Sequence, residues 1–170
     1  MRTPTELSEG LGHIIYEYNM LIGTASLIND IDILRNSPNT PLSNVENKFI
    51  SDFNKNSLLE SFVIHARNLI DFFNGKESKK EDDILLRDFN INKDLYKVFD
   101  YHPLELEKTE IEKQYDRMSK EISHLTYKRT NNVNLKQWDL DYIKEIITKR
   151  FNDFITEIKS SMPNINITNK

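Results

Sequence analysis

Residues that interrupt a helix are scarce in this chain, and they are bunched. Of 170 residues only four are glycine and five are proline. Two of the prolines, Pro38 and Pro41, fall within one ten-residue stretch, RNSPNTPLSN. Glycine costs a helix interior about 1 kcal/mol relative to alanine, and proline about 3. Tracts without them are therefore free to stay helical. Between the breakers, apolar residues recur at steps of three and four rather than in alternation, which is the period of a helix and not of a strand. Strand signals are weak throughout, and there is no internal repeat or low-complexity tract.

The periodicity divides the chain. From Thr5 to Leu34, residues Ile14, Tyr18, Leu21, Ala25 and Ile28 make one apolar stripe. Gly10, Gly12 and Gly23 predict a start that frays or bends. After the proline-containing loop, Ser43 stands three residues before Glu46, a capping-box spacing. The helix that follows runs from Val45 to Gly75. Leu59, Phe62, Val63, Ala66, Leu69, Ile70 and Phe73 give it a wide apolar face, as expected of a central core helix. Gly75 is placed as its stop.

Residues 76–103 are mixed. DDILLRDF and KDLYKVF each suit one or two helical turns, with Asp94 as a cap for the second. A further helix is expected from Leu104 to Arg129, where Ile111, Tyr115, Met118, Ile122 and Leu125 form a narrow seam. TNNVN breaks it. The last helix begins near KQWDLDYIKE and ends before Pro163, burying Tyr142 or Ile143, Ile146, Ile147, Phe151, Phe154, Ile155 and Ile158. The expected fold is all-α: an up-down bundle of four long helices plus one or two short ones. It forms one domain over residues 1–162, with a flexible polar tail over 163–170.

Composition narrows the function classes. The net charge of −4 excludes a chain-wide basic field for nucleic acid, but not a small basic cleft or one formed between subunits. With no cysteine there is no disulfide frame, no thiolate metal site and no cysteine nucleophile. No apolar run approaches the roughly 18 residues of a membrane span. The N-terminal MRTPTELSEGLGH lacks the apolar core of a signal peptide. The expectation is a cytoplasmic protein that does not enter a membrane.

Two clusters carry possible chemistry. In RMSKEISHLTYKR, Arg117 and His124 are seven residues apart, almost two helical turns or about 10.5 Å, and leave the helix on one side. A phosphodiester fits between such a pair. The guanidinium suits the charge that builds on phosphorus, and the imidazole can take or give a proton. Lys128, one turn past His124, adds positive potential. The other reading is a solvated network in which Glu121 pairs with Arg117 at i,i+4 and holds His124 at i+3.

The second cluster lies in SLLESFVIHARNLIDFF. Glu60, Arg67 and Asp71 share one stripe, with His65 and Asn68 on the neighbouring one. Charges in so apolar a run are either paired or at a cleft. They read as a second polar wall facing Arg117 and His124, or as an ion pair that fixes helix register. Glu121-x-x-His124 has the spacing of helical di-iron sites, but occurs once. No metal or other cofactor is expected.

SLLESFVIHARNLIDFF and MSKEISHLTY together resemble a group of small bacterial helical proteins. RMSKEISH fits the Arg-x(4–6)-His signature of the HEPN superfamily, with six intervening residues. The resemblance spans Val45 to Phe154. It implies a bundle of four or five helices and a homodimer in which two Arg/His pairs face each other. It also implies a metal-independent endoribonuclease of the toxin–antitoxin or phage-defence kind, or a non-catalytic relative. On this resemblance Arg117 is the phosphate-side arginine and His124 the acid/base, with Glu60 or Arg67 at a supporting polar position. Two function classes follow: a dimeric RNA-cleaving or RNA-binding protein, and a non-enzymatic interaction or regulatory module for a protein partner from the same operon.

Overall fold

The structure is a computed structural model that describes residues 2–37, 45–75, 83–91, 97–98, 109–121 and 138–165, the side chains of 45–47, 49 and 119–121 excepted. Among the described residues the fold is all-α. Four α-helices follow in order: α1 (Pro4–Asn36), α2 (Val45–Phe73), α3 (Glu110–Glu121) and α4 (Leu140–Ser161). A 3-10 turn, Leu86–Phe89, lies between α2 and α3. No described helix is long and apolar enough to cross a membrane.

α1 has 33 residues, about 50 Å at 1.5 Å per residue. Its start does not fray. Thr3 and Glu6 form a reciprocal cap: Thr3 N donates to Glu6 Oε2 at 2.7 Å, and Glu6 N to Thr3 Oγ1 at 3.3 Å. Pro4 occupies the first turn, where its missing N–H costs nothing. The backbone hydrogen bond from Thr3 holds the Glu6 carboxyl below the usual carboxylate range. The helix continues through Gly10, which is buried where the 3-10 turn and Ile84 meet α1. A Cβ there would lie 3.3 Å from Ile84, so glycine allows the close approach.

α2 lies antiparallel to α1. Arg35 reaches Ser51 and Asp52, Asp32 reaches Lys55 at 2.5 and 2.7 Å, and Glu17 reaches His65. Residues late in α1 thus meet residues early in α2. The hydrogen bond from Arg35 holds the Asp52 carboxyl below its ordinary range. Gly75 stops the helix with φ 62°, its N–H donating to Phe72 O at 3.0 Å. The expected Ser43–Glu46 box, and the KDLYKVF turn with its Asp94 cap apart from Lys97 and Val98, lie outside the described residues; Val98 N donates to Asn74 Oδ1 at 2.8 Å.

α4 packs on both. Tyr18 stacks on Phe151 with ring centroids 3.8 Å apart, and Phe154 meets Phe72 and Phe73 of α2 and Phe89 of the 3-10 turn. Ile143, Ile147, Phe154 and Ile158 are completely buried, so Ile143 takes the core position and Tyr142 only its margin. Asp139 caps the helix by accepting from Tyr142 N at 3.0 Å, which puts the start a few residues later than KQWD suggests. Pro163 to Ile165 are not a free tail: Ile165 N donates to Met162 O and its side chain packs against the core.

α3 starts later than expected as well. The sequence seam predicts a helix from Leu104, but Thr109 is the cap. Thr109 N donates to Glu112 Oε2 at 2.7 Å, and Glu112 N returns to Thr109 Oγ1 at 3.5 Å. The signal was present as Thr-x-x-Glu in KTEIEK. This cap fixes the phase of α3, turning Ile111 and Met118 into the core.

Candidate functional site

From that phase, Gln114 and Arg117 emerge on one flank of α3 and Tyr115 on another. Glu110, Gln114 and Arg117 form a chain along the flank. Gln114 Nε2 donates to Glu110 Oε1 at 2.9 Å, and Arg117 Nη1 donates to Gln114 Oε1 at 3.3 Å. The Arg117 guanidinium carbon lies 4.4 Å from the Trp138 ring centroid. Trp138 stands immediately before the α4 cap, so a cation–π contact joins α3 to the start of α4.

Gln114 and Trp138, both in contact with Arg117, line a cleft of about 600 Å³. Ile28, Leu59 and Leu140 give it apolar walls. Asp32, Asp139 and Asp141 give it carboxylates, and Lys55 a cation. Two of the carboxylates are already compensated: Asp32 by Lys55, and Asp141 by Lys144 at 2.7 Å. The cleft is therefore less repulsive to an anion than its residue types suggest.

The polar cluster of α2 divides into two groups. Arg67 and Asp71 turn toward α3. Arg67 Nε lies 3.8 Å from Asp71 Oδ2, and the Tyr115 hydroxyl donates to Asp71. His65 and Asn68 turn toward α1. His65 Nδ1 and Asn68 Nδ2 lie 2.7 and 3.0 Å from the same Glu17 oxygen, and Tyr16 packs edge-on against the imidazole. Glu60 is exposed on the same helix. The cluster is thus two inter-helix clamps. Arg117 turns to Gln114 and Trp138, while Arg67 and Asp71 engage Tyr115. His124 and Lys128, and the side chain of Glu121, lie outside the described residues, so the expected Arg117–Glu121 pair and Glu121-x-x-His124 spacing do too.

Sequence reasoning missed Glu17, Gln114 and the polar role of Tyr115. Glu17 sits between Ile14 and Tyr18, and no one-helix pattern reveals that it caps two side chains of another helix. Tyr115 reads as seam, and its ring does pack against the core. Its hydroxyl is the missed feature.

Burial first, and then the hydrogen bond to Asp71, push the Tyr115 phenol well above its ordinary value of 10.0. The neutral phenol is the form the fold favours. Its contribution to stability is complete below pH about 10 and is lost as pH rises above that, where the unfolded chain ionises first. Absorbance titration at 295 nm is expected to show one of the seven tyrosines ionising only as the protein unfolds. Tyr115→Phe should abolish that late phase. A native-state titration with all tyrosines ionising near pH 10 contradicts the Asp71 contact.

The chain matches no protein-family model, no curated protein and no solved structure. The chemistry of the site therefore rests on its own residues.

Proposed function

We propose that this chain acts on RNA, cleaving a phosphodiester without a metal, with Arg117 binding the phosphate and His124 moving the proton. The supporting observation is the place of Arg117. Its guanidinium lies against the Trp138 indole and is tied to Gln114, and those two side chains line a cleft. A cation anchored in this way loses little further freedom on gripping a phosphate, and its planar fork matches phosphate oxygens.

In the proposed step, neutral His124 takes the proton of the ribose 2′-hydroxyl. The 2′-oxygen attacks phosphorus, the bond to the 5′-oxygen breaks, and that oxygen leaves with a proton from an imidazolium. The products are a 2′,3′-cyclic phosphate and a 5′-hydroxyl. Arg117 offsets the charge that builds on the phosphoryl oxygens. The HEPN resemblance adds that two copies work together.

A second reading, a non-enzymatic helical interaction module, is favoured by the exposed apolar side chains along the outer surface of α1 and α2. Purified wild type, Arg117→Ala and His124→Ala, each confirmed folded by circular dichroism, are to be incubated with labelled structured and unstructured RNA with and without EDTA. Chelator-resistant cleavage lost in both variants is the expected result. No cleavage by wild type at high enzyme concentration overturns the proposal and leaves the interaction module, and cleavage that EDTA removes overturns the metal-independent step.

A further inference from the structure

Trp138 is the only tryptophan of the chain, and it has two neighbours of different kinds. The Arg117 guanidinium lies over its ring, and its side chain also lines the cleft of about 600 Å³. A cleft of this size suits a small organic ligand. Ile28, Leu59 and Leu140 give apolar wall beside the indole. An aromatic ring among apolar walls accepts a flat group with an apolar face. In RNA that group is an unstacked base.

The charges of the cleft decide which part of a nucleotide enters it. Its cation, Lys55, is held by both oxygens of Asp32, at 2.5 and 2.7 Å. Asp139 and Asp141 add two more carboxylates. A phosphate gains little from such a set. Arg117 touches Trp138 without lining the cleft. Base and phosphate, joined in one nucleotide, thus find their partners on adjoining sites.

The acceptors narrow the base. A carboxylate accepts hydrogen bonds and donates none. Asp32 is engaged by Lys55, and Asp141 by Lys144 at 2.7 Å. Asp139 gives one lone pair of Oδ1 to the helix cap, accepting from Tyr142 N at 3.0 Å, and keeps the capacity of Oδ2. Guanine is the base with two adjacent N–H donors, N1–H and N2–H, on one edge. A carboxylate takes such a pair in two parallel bonds.

We propose that the cleft binds a guanine base, stacked on Trp138 and hydrogen-bonded to Asp139, with the phosphate of the same nucleotide at Arg117. This deepens the RNA reading and rests on it only for the phosphate.

The single tryptophan is its own reporter. The purified full chain is to be titrated with guanosine, adenosine, cytidine and uridine, and then with guanosine 3′-monophosphate, while indole emission is followed. Guanosine is expected to quench it and to bind at least about tenfold more tightly than the other three nucleosides. The monophosphate should bind more tightly still, by an increment that Arg117→Ala removes. Calorimetry serves for the variants without the indole. Trp138→Phe keeps a ring and should hold guanosine within about threefold of wild type, whereas Trp138→Leu should lose about tenfold or more. Asp139→Asn keeps a good cap but puts a donor where guanine needs an acceptor. It should remove the preference for guanosine with circular dichroism unchanged.

No saturable binding of guanosine at millimolar concentration overturns the proposal, as does a Trp138→Leu variant that binds like wild type. Equal affinity for the four nucleosides, or a preference that survives Asp139→Asn, overturns the guanine contact. RNA cleavage is read separately. A chain that binds guanosine and cuts no RNA keeps the base site and loses the cleavage reading, and one that cuts RNA and binds no nucleoside does the reverse.

Discussion

Phe154→Ala is expected to destabilise the protein by about 3–5 kcal/mol, the range for truncating a fully buried phenylalanine. Phe154 is 0% exposed and central to the aromatic cluster. It meets Phe72 at 5.4 Å, Phe73 at 6.0 Å and Phe89 at 5.5 Å, each edge-on. Those three rings come from α2 and the 3-10 turn, so one side chain of α4 joins three elements. The substitution removes apolar burial and the edge-to-face contacts together, and rings held on separate backbones cannot all close the gap. Domain stabilities lie at about 5–15 kcal/mol, so the loss is a large share. Urea denaturation followed by circular dichroism should show the midpoint falling with little change in slope. Phe154→Leu should recover much of the loss. A midpoint within experimental error of wild type for Phe154→Ala would contradict the packing described.

The other large effect concerns Arg117 and His124. If His124 moves the proton, His124→Ala should lower cleavage by about 10²–10⁴-fold, the usual worth of a positioned acid or base. Arg117→Ala should lower it by about 10²–10³-fold, as for loss of a donor to the transition-state oxyanion. Arg117 also has a structural role through Trp138, and the two roles are separable. Cation–π contacts contribute about 0.5–2 kcal/mol. Arg117→Lys keeps the positive charge over the indole but loses the planar fork. It should therefore retain part of the stability while cleavage stays at least tenfold down. Should Arg117→Lys cleave like wild type, the fork is not gripping phosphate. Should Arg117→Ala lose stability while wild type shows no cleavage to lose, Arg117 is a packing residue.

The helices were legible because each buries its own stripe, and a stripe is a local pattern. Phe62, Val63, Ala66, Leu69, Ile70 and Phe73 announce the inner face of α2, and all are at most 1% exposed. Helix starts were less legible. Thr3–Glu6 and Thr109–Glu112 are short polar signals beside strong apolar ones, and they moved the ends of α1 and α3. Of the site, only Arg117, Arg67, Asp71, His65 and Asn68 were visible as residues to question. Their partners were not, because Glu17, Tyr115, Gln114 and Trp138 reach them from elsewhere in sequence or under the guise of core.

By itself the sequence determined the all-α class, the buried stripe of each helix and the stop at Gly75, since these follow from residue spacing and from which residues tolerate a left-handed backbone. Only the tertiary structure decided the rest. It split the polar residues of α2 between α1 and α3, set Arg117 against Trp138, and left Tyr16, Leu27 and Leu34 of α1 about half exposed. The reason is physical. Helix periodicity tells which side of a helix is apolar, but what meets each side depends on how the helices cross, and that geometry arises from packing between segments distant in the chain.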